Sequence, residues 1–238
     1  MCAGDHGVLA QGISAWPKEV TAIMVGEFCA DRAAVNALGR TVGASVTVLD
    51  VGVASDVAAH PRLERARVRD GTADLHEGPA MTHEEAARAV LAGAQLVAQL
   101  TVEAGVELVL TGDMGIGNTT PAACLIAAFS GRPAGEVAGP GAGGDAEAVR
   151  HKAQVVGQAL ERHGPDPQDG LRTLATLGGL EHAAIVGLLL GRRRSAFRSC
   201  SMACRRSPRL SPRGPSARSR SITRSPATAR PSRPRPSA

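Results

Sequence analysis

The stretch Thr111–Pro121, TGDMGIGNTTP, constrains this chain more than any other. It follows a short apolar run, Val106–Leu110, that reads as a buried parallel strand. Thr120-Pro121 reads as a helix N-cap followed by a proline at the first helical position, which predicts a helix over 122–130. Between strand and helix stand Gly112, Gly115 and Gly117, where backbone can approach a ligand closely. Asn118, Thr119 and Thr120 add short polar side chains. A strand, a glycine-rich turn and a helix N-terminus together aim free N–H groups and the helix dipole at one place, which suits an anion. A phosphate cradle is the functional reading; a tight turn without a ligand is the alternative. Neither GxGxxG nor GxxxxGK[ST] is present here.

The remainder of the chain repeats the alternation of helix and strand. GDHG at Gly4–Gly7 reads as a loop at a strand end, with so little chain before it that an upstream segment is expected to be missing. Trp16-Pro17 predicts a helix start, and Val20, Ile23, Met24 and Phe28 fall at helical spacing as its buried face. On spacing alone Trp16 and Met24 read as core. A helix over 31–40 and a strand over 45–53 follow, then a long loop over 54–79 with a short strand near Leu63–Val68. Thr82-x-x-Glu85 is a capping box for a helix reaching about Ala104. AGPGAGG at Ala138–Gly144 is a second glycine-rich loop, with Asp145 placed to cap a helix that ends at Gly164. Residues 171–191 read as two helical pieces broken at Gly178-Gly179. Short loops and this alternation predict an α/β class, a parallel Rossmann-like sheet flanked by helices and incomplete at both ends. Its loops at the carboxyl ends of strands (GDHG, DVGV and TGDMGIGNTTP) would share one side.

Charge divides the chain in two. Fourteen arginines lie from Arg192 onward, with no lysine and no acid, so residues 1–191 carry a net −9 although the whole carries +5. Residues 192–238 are Arg, Ser and Pro without periodicity, a composition that predicts a disordered low-complexity tail. An arginine-rich tail on an α/β module could bind nucleic acid. The acidic body and the near-absence of aromatics in the tail argue against that, and no nucleic-acid partner is expected. No run is long enough to span a bilayer and no signal peptide precedes the body, so a cytoplasmic protein is expected. The five cysteines form no CxxC, and neither a metal site nor a disulfide framework is expected. Only Lys18 and Lys152 are lysines; Lys152 on spacing alone reads as a solvated side chain.

Four stretches, AGDHGV (3–8), GISAWPKEVTAIMV (12–25), TGDMGIGNTTPAA (111–123) and LGGLE (177–181), resemble the nicotinate mononucleotide:dimethylbenzimidazole phosphoribosyltransferase family in order and spacing. The resemblance covers about residues 1–191. It implies transfer of phosphoribose from nicotinate mononucleotide to dimethylbenzimidazole, giving α-ribazole phosphate and nicotinate, by a homodimer that needs neither metal nor cofactor. The leaving pyridinium is already cationic and needs no general acid. The incoming benzimidazole loses a proton, so one carboxylate base is required, and a second carboxylate can stabilise charge on the ribose. By resemblance the phosphate cradle comprises Met114, Gly115, Ile116 and Gly117 with Asn118 and Thr119, completed by Gly141 and Lys152. Asp113 stands where the family has glutamate. Trp16 and Met24 match the benzimidazole pocket, and Asp5 and His6 match a loop beside it; a loop-bracing hydrogen bond is the alternative for His6.

The family's N-terminal helical segment and its C-terminal general-base glutamate have no counterpart in the sequence, which predicts impaired transfer. A remnant that binds nicotinate mononucleotide without chemistry is a further reading. The tail itself reads as frame-shifted: back-translated from the third base with GC-rich codons, Ala196–Cys204 can give VPVVLDGV and Arg224–Arg233 can give VAGHRSAEP, both similar to family segments.

Overall fold

Strand β1 (Cys2–Gly4) is wholly buried and lies between two parallel neighbours, β2 (Val48–Gly52) and β5 (Asp113–Met114). The computed structural model describes residues 1–102, 105–191 and 198–201. β3 (Leu63–Arg65) pairs with β2, again in parallel, giving the order β3-β2-β1-β5. β4 (Leu108–Thr111) runs into β5 through Gly112, whose carbonyl accepts the Cys2 N–H at 2.8 Å. On its other side β4 pairs in parallel with β6 (Arg198–Ser201), from Leu108 opposite Arg198 to Thr111 opposite Ser201. Among the described residues every strand pairing is parallel, so the class is α/β, as the alternation predicts.

The crossovers are helical. α1 (Glu19–Cys29) and α2 (Ala34–Val42) join β1 to β2, and α3 (His83–Val102) joins β3 to β4. After β5 come α4 (Thr119–Ser130), α5 (Ala134–Val137), α6 (Ala146–His163), α7 (Gly170–Leu177) and α8 (Leu180–Gly191). Alternation along the strands sends side chains to two cores. Cys2, Leu49 and Val51 meet α3, α7 and α8 through Ala86, Ala89, Leu174, Leu180 and Ala184. Ala3, Val48 and Leu63 meet Val25, Phe28 and Cys29 of α1 on the opposite face. A third cluster packs Ala123 and Cys124 of α4 against Val155, Val156 and Ala159 of α6.

With almost no aromatics, closeness replaces bulk. A Cβ at Gly93 of α3 would lie 1.9 Å from the Ala184 carbonyl, and one at Gly187 of α8 would lie 1.8 Å from that of Val90. Only glycine at both positions allows these helices to approach so closely.

Predicted caps form at two helices. Thr82 N–H donates to Glu85 Oε2 at 2.8 Å and Glu85 N–H to Thr82 Oγ1 at 3.1 Å, the reciprocal box. Asp145 Oδ1 accepts from Glu147 and Ala148 at 3.0 and 2.9 Å.

Several expectations are corrected. α4 starts at Thr119 with Asn118 as N-cap, so Pro121 lies inside the first turn, where a missing N–H costs no helical bond. The helix predicted over 31–40 runs from Ala34 to Val42, because Asp31 takes a left-handed φ of 65° and breaks from α1. α1 begins after Lys18 and buries Thr21, Val25, Phe28 and Cys29, whereas Ile23 is exposed. β4 is not wholly buried: Val109 packs on the first core, but Leu108 and Leu110 alternate to the other face and are half exposed. Strand β6 falls within the segment predicted to lack regular structure. The rest of that prediction, and the frame-shift reading, concern residues that lie largely outside the described ones. Cys2, Cys29 and Cys124 are free and buried, and burial pushes the Cys2 and Cys124 thiols up to about 12. Among the described residues no helix is long and apolar enough to cross a membrane, and no three His, Cys, Asp or Glu side chains are placed to hold a metal ion.

Candidate active site

Because β1, β2 and β5 are parallel, the loops after Gly4, Gly52 and Met114 open on one side of the sheet. The turn Gly115–Asn118 is tied down from three directions. Ile116 N–H donates to the buried Thr21 hydroxyl of α1 at 3.0 Å. Asn118 N–H donates to the Gly115 carbonyl and Thr120 N–H to that of Gly117, each at 3.0 Å. Gly117 holds φ at 88°, in the left-handed region that glycine favours. Among the described residues the N–H groups of Gly117 and Thr119 have no acceptor in the protein, and both residues border the same cleft.

That cleft encloses about 440 Å³ between the Gly12–Ala15 loop, the Met114–Thr119 turn and the Pro140–Asp145 loop with α6. Lys152 reaches it from α6. The sequence suggested a solvated lysine, but Lys152 is only 4% exposed. Its Nζ donates to Thr119 Oγ1 at 3.0 Å and to the Gly139 carbonyl at 3.1 Å. Burial pushes its pKa below the ordinary lysine range. Among the described residues no carboxylate comes within ion-pairing distance of it. Gly141, with φ of 60°, passes so close that a Cβ there would lie 3.1 Å from Lys152 Nζ. A buried ammonium, free amides and a helix N-terminus therefore converge on one volume that can take an anion.

The remaining predicted site residues spread around this centre. Asp113 is exposed at the start of the turn, with its carboxylate accepting from the Asn118 amide. Met114 lines the cleft and also packs, with Met24, against the second core. Trp16 is 52% exposed and donates from its indole to the Ala142 carbonyl at 3.1 Å, at the rim. The structure thus brings Met114–Thr119, Gly141 and Lys152 together and puts Trp16 beside them, whereas Met24 lies on the core side of α1. Asp5 and His6 are buried behind the turn. Asp5 Oδ2 accepts the Ala54 N–H at 2.8 Å, bracing the loop after β2.

His6 faces a partner that sequence reasoning did not single out. Glu181 of α8 is fully buried, with Oε1 3.1 Å from His6 Nε2 and 3.2 Å from His182 Nδ1. One signal was available: in Leu180–Gly191 every residue but Glu181 and His182 is apolar or glycine, and a charged residue within such a helix calls for a partner. Thr21 gave no such signal, since its bond to Ile116 spans 95 positions.

A sequence model described as phosphoribosyltransferase matches residues 1–197. The chain belongs to this phosphoribosyltransferase family. The nicotinate-nucleotide–dimethylbenzimidazole phosphoribosyltransferase of Salinispora tropica is 50% identical over 203 residues, which cover 79% of this chain and 56% of that one. The enzyme of the same name from Chloroflexus aurantiacus is 48% identical over 189 residues, covering 79% and 54%. The crystal structure of CobT from Thermus thermophilus superposes with a TM-score of 0.79 at 44% identity, covering 84% of this chain and 60% of that one. The chain therefore spans somewhat over half the length of these phosphoribosyltransferases. Their fold, a parallel sheet flanked by helices, is the fold found here.

Proposed function

We propose that this chain binds nicotinate mononucleotide and serves its phosphoribosyl transfer to dimethylbenzimidazole, as a cytoplasmic protein that acts as a homodimer. The observation that carries this reading is Lys152, a buried ammonium without a carboxylate, at the mouth of a turn whose Gly117 and Thr119 amides are free. The relatives' names supply the substrates: each is a nicotinate-nucleotide–dimethylbenzimidazole phosphoribosyltransferase.

In this reading the nucleotide's phosphate sits on the Gly115–Thr119 turn and Lys152 supplies its counter-charge. A benzimidazole nitrogen attacks the anomeric carbon as the bond to the pyridinium breaks. The bonding pair leaves with the pyridine nitrogen, so nicotinate departs without needing a proton. The N–H proton of benzimidazole needs a carboxylate base, and since the family's general-base glutamate has no counterpart in this sequence, transfer by this chain alone is expected to be slow. Asp113, exposed beside the turn, faces the ribose and stabilises its developing positive charge. Trp16 at the rim offers an aromatic wall for the flat acceptor.

Calorimetric titration of nicotinate mononucleotide, followed by assay of nicotinate release with dimethylbenzimidazole present, tests the proposal. Saturable binding that Lys152→Ala weakens supports the donor site, and release of nicotinate supports transfer. Equal binding by both proteins would remove Lys152 from the site.

A further inference from the structure

Beneath the cradle lies a closed box that the proposed chemistry does not use. Its contents are His6 from the loop after β1 and Glu181 with His182 from α8. Both imidazoles approach the same oxygen, Glu181 Oε1, with ring centroids 6.1 Å apart. Three glycines form its walls. A Cβ at Gly179 would come within 2.5 Å of both Glu181 oxygens and of His6 Cε1. One at Gly4 would lie 3.2 Å from Glu181 Oε2. One at Gly115 would lie 2.9 Å from His6 Nε2 and 2.2 Å from the Gly4 carbonyl. Gly115 is thus both the roof of the box and the floor of the cleft.

The hydrogen bonding of the box is incomplete. Among the described residues, both His6 nitrogens, both Glu181 oxygens and His182 Nδ1 are buried without an aligned hydrogen-bond partner. The His6–Glu181 contact is an ion pair by distance, at 3.1 Å. A carboxylate with no exposure is tolerable only beside a positive charge, and breaking such a pair by removing one charge is strongly destabilising. The fold has accepted that cost directly under the turn that receives the anion.

We infer that His6 and Glu181 are positioning residues: their ion pair holds the imidazole against Gly115 and so fixes the height of the Gly115–Thr119 turn relative to Lys152. The inference rests on the cleft being an anion site. It makes anion affinity depend on the His6 proton. The charged groups facing His6 are Glu181 and His182 from α8, Asp5 beside it and Asp113 from β5. Burial, the largest single effect, lowers the His6 pKa, but the Glu181 carboxylate together with Asp5 and Asp113 outweighs it, so the proton is held above the ordinary histidine range. When it leaves as pH rises through that raised value, Glu181 stays charged and loses its partner, and the turn loses its support. The second ionisation of a phosphate ester, near pH ~6, is complete before this step.

The test reads the turn directly. In the wild-type 238-residue chain, the amide resonances of Gly115 and Gly117 are followed from neutral to alkaline pH beside the His6 Cε1–H signal. Both amides are expected to move with the His6 titration, and nicotinate mononucleotide affinity to fall about tenfold across that step. Deprotonation of Lys152 also weakens binding at high pH, so Glu181→Gln is compared: its affinity should be lower at neutral pH, and the step that tracks His6 should vanish while the lysine step stays. Amides that ignore the His6 titration overturn the inference whether or not Glu181→Gln folds. So does a folded Glu181→Gln chain with unchanged affinity and pH profile. Absence of nucleotide binding at every pH, with amides that still track His6, overturns the anion-site reading and leaves the brace standing.

Discussion

The Lys152 ammonium lies 3.0 Å from the Thr119 hydroxyl, a contact between the interior of α6 and the first residue of α4. Thr119 and the Gly139 carbonyl satisfy two of the three ammonium protons, and burial disfavours the charge. A charge held this way serves a ligand better than it serves the fold. We therefore expect Lys152→Met to separate the two. Nucleotide affinity should drop by about 10- to 100-fold, as for loss of a charge-assisted hydrogen bond, while the thermal midpoint of the unliganded chain falls little. Paired calorimetry and thermal unfolding check this. A large loss of stability with unaltered affinity would make Lys152 structural.

Gly115 is expected to be intolerant for steric reasons, since the nearest obstacle to a Cβ is backbone, the Gly4 carbonyl. Gly115→Ala should destabilise by about 1–3 kcal/mol, the usual range for overpacking, and should also weaken nucleotide binding. Gly26 is the control. It lies within α1 with nothing near a Cβ, so Gly26→Ala should stabilise by about 0.5–1 kcal/mol through helix propensity. Denaturant unfolding of both variants gives the comparison.

The sequence showed the turn, its glycines and the parallel class because those depend on local pattern: a glycine-rich loop between a strand and a helix has few geometries. Exposure was less legible. Ile23 sits at helical spacing yet faces solvent, because the face of α1 that turns inward carries Thr21, whose hydroxyl is needed by Ile116. Lys152 looked solvated because its partners, Thr119 and Gly139, lie on other elements. The His6–Glu181 pair joins the first loop to the last long helix, and no local periodicity encodes such a contact. What was readable was the oddity of Glu181 in an apolar helix, and such an oddity marks a residue without naming its partner.

The start of α3 offers a smaller, local test. The Thr82 hydroxyl and the Glu85 carboxylate each satisfy the other's backbone N–H. Arg69 lies 3.2 Å from the same carboxylate, which backbone and arginine together hold below its ordinary pKa range against the opposing effect of burial. Thr82→Ala should cost about 1 kcal/mol and leave nucleotide affinity unchanged, since neither residue borders the cleft. Chemical unfolding and titration of the same sample measure both.

The buried pair also sets the pH range of stability. Burial works against a charged His6, but Glu181 together with Asp5 and Asp113 outweighs it and the folded-state pKa is raised. The folded chain then binds this proton more tightly than the unfolded chain does. Its contribution is complete below the unfolded value of about 6.5 and is lost as pH rises through the higher folded value. Glu181 behaves in the opposite sense. Burial raises its pKa, but His182 and His6 outweigh that and the net shift is downward. Its contribution is present above the unfolded value of about 4.3 and is lost as pH falls through the lower folded value. Unfolding free energy should therefore show a plateau between the two folded-state values, with an acid limb from Glu181 and a high-pH limb from His6. Glu181→Gln should remove this pair's part of both limbs and lower the plateau by about 3–5 kcal/mol, the typical cost of leaving one buried charge unpaired. In His6→Gln with Glu181→Gln no charge remains to be compensated, so the double variant should lose less than the sum of the two single losses. Losses that simply add, or a high-pH limb that survives Glu181→Gln, would show that the two residues do not act as a pair.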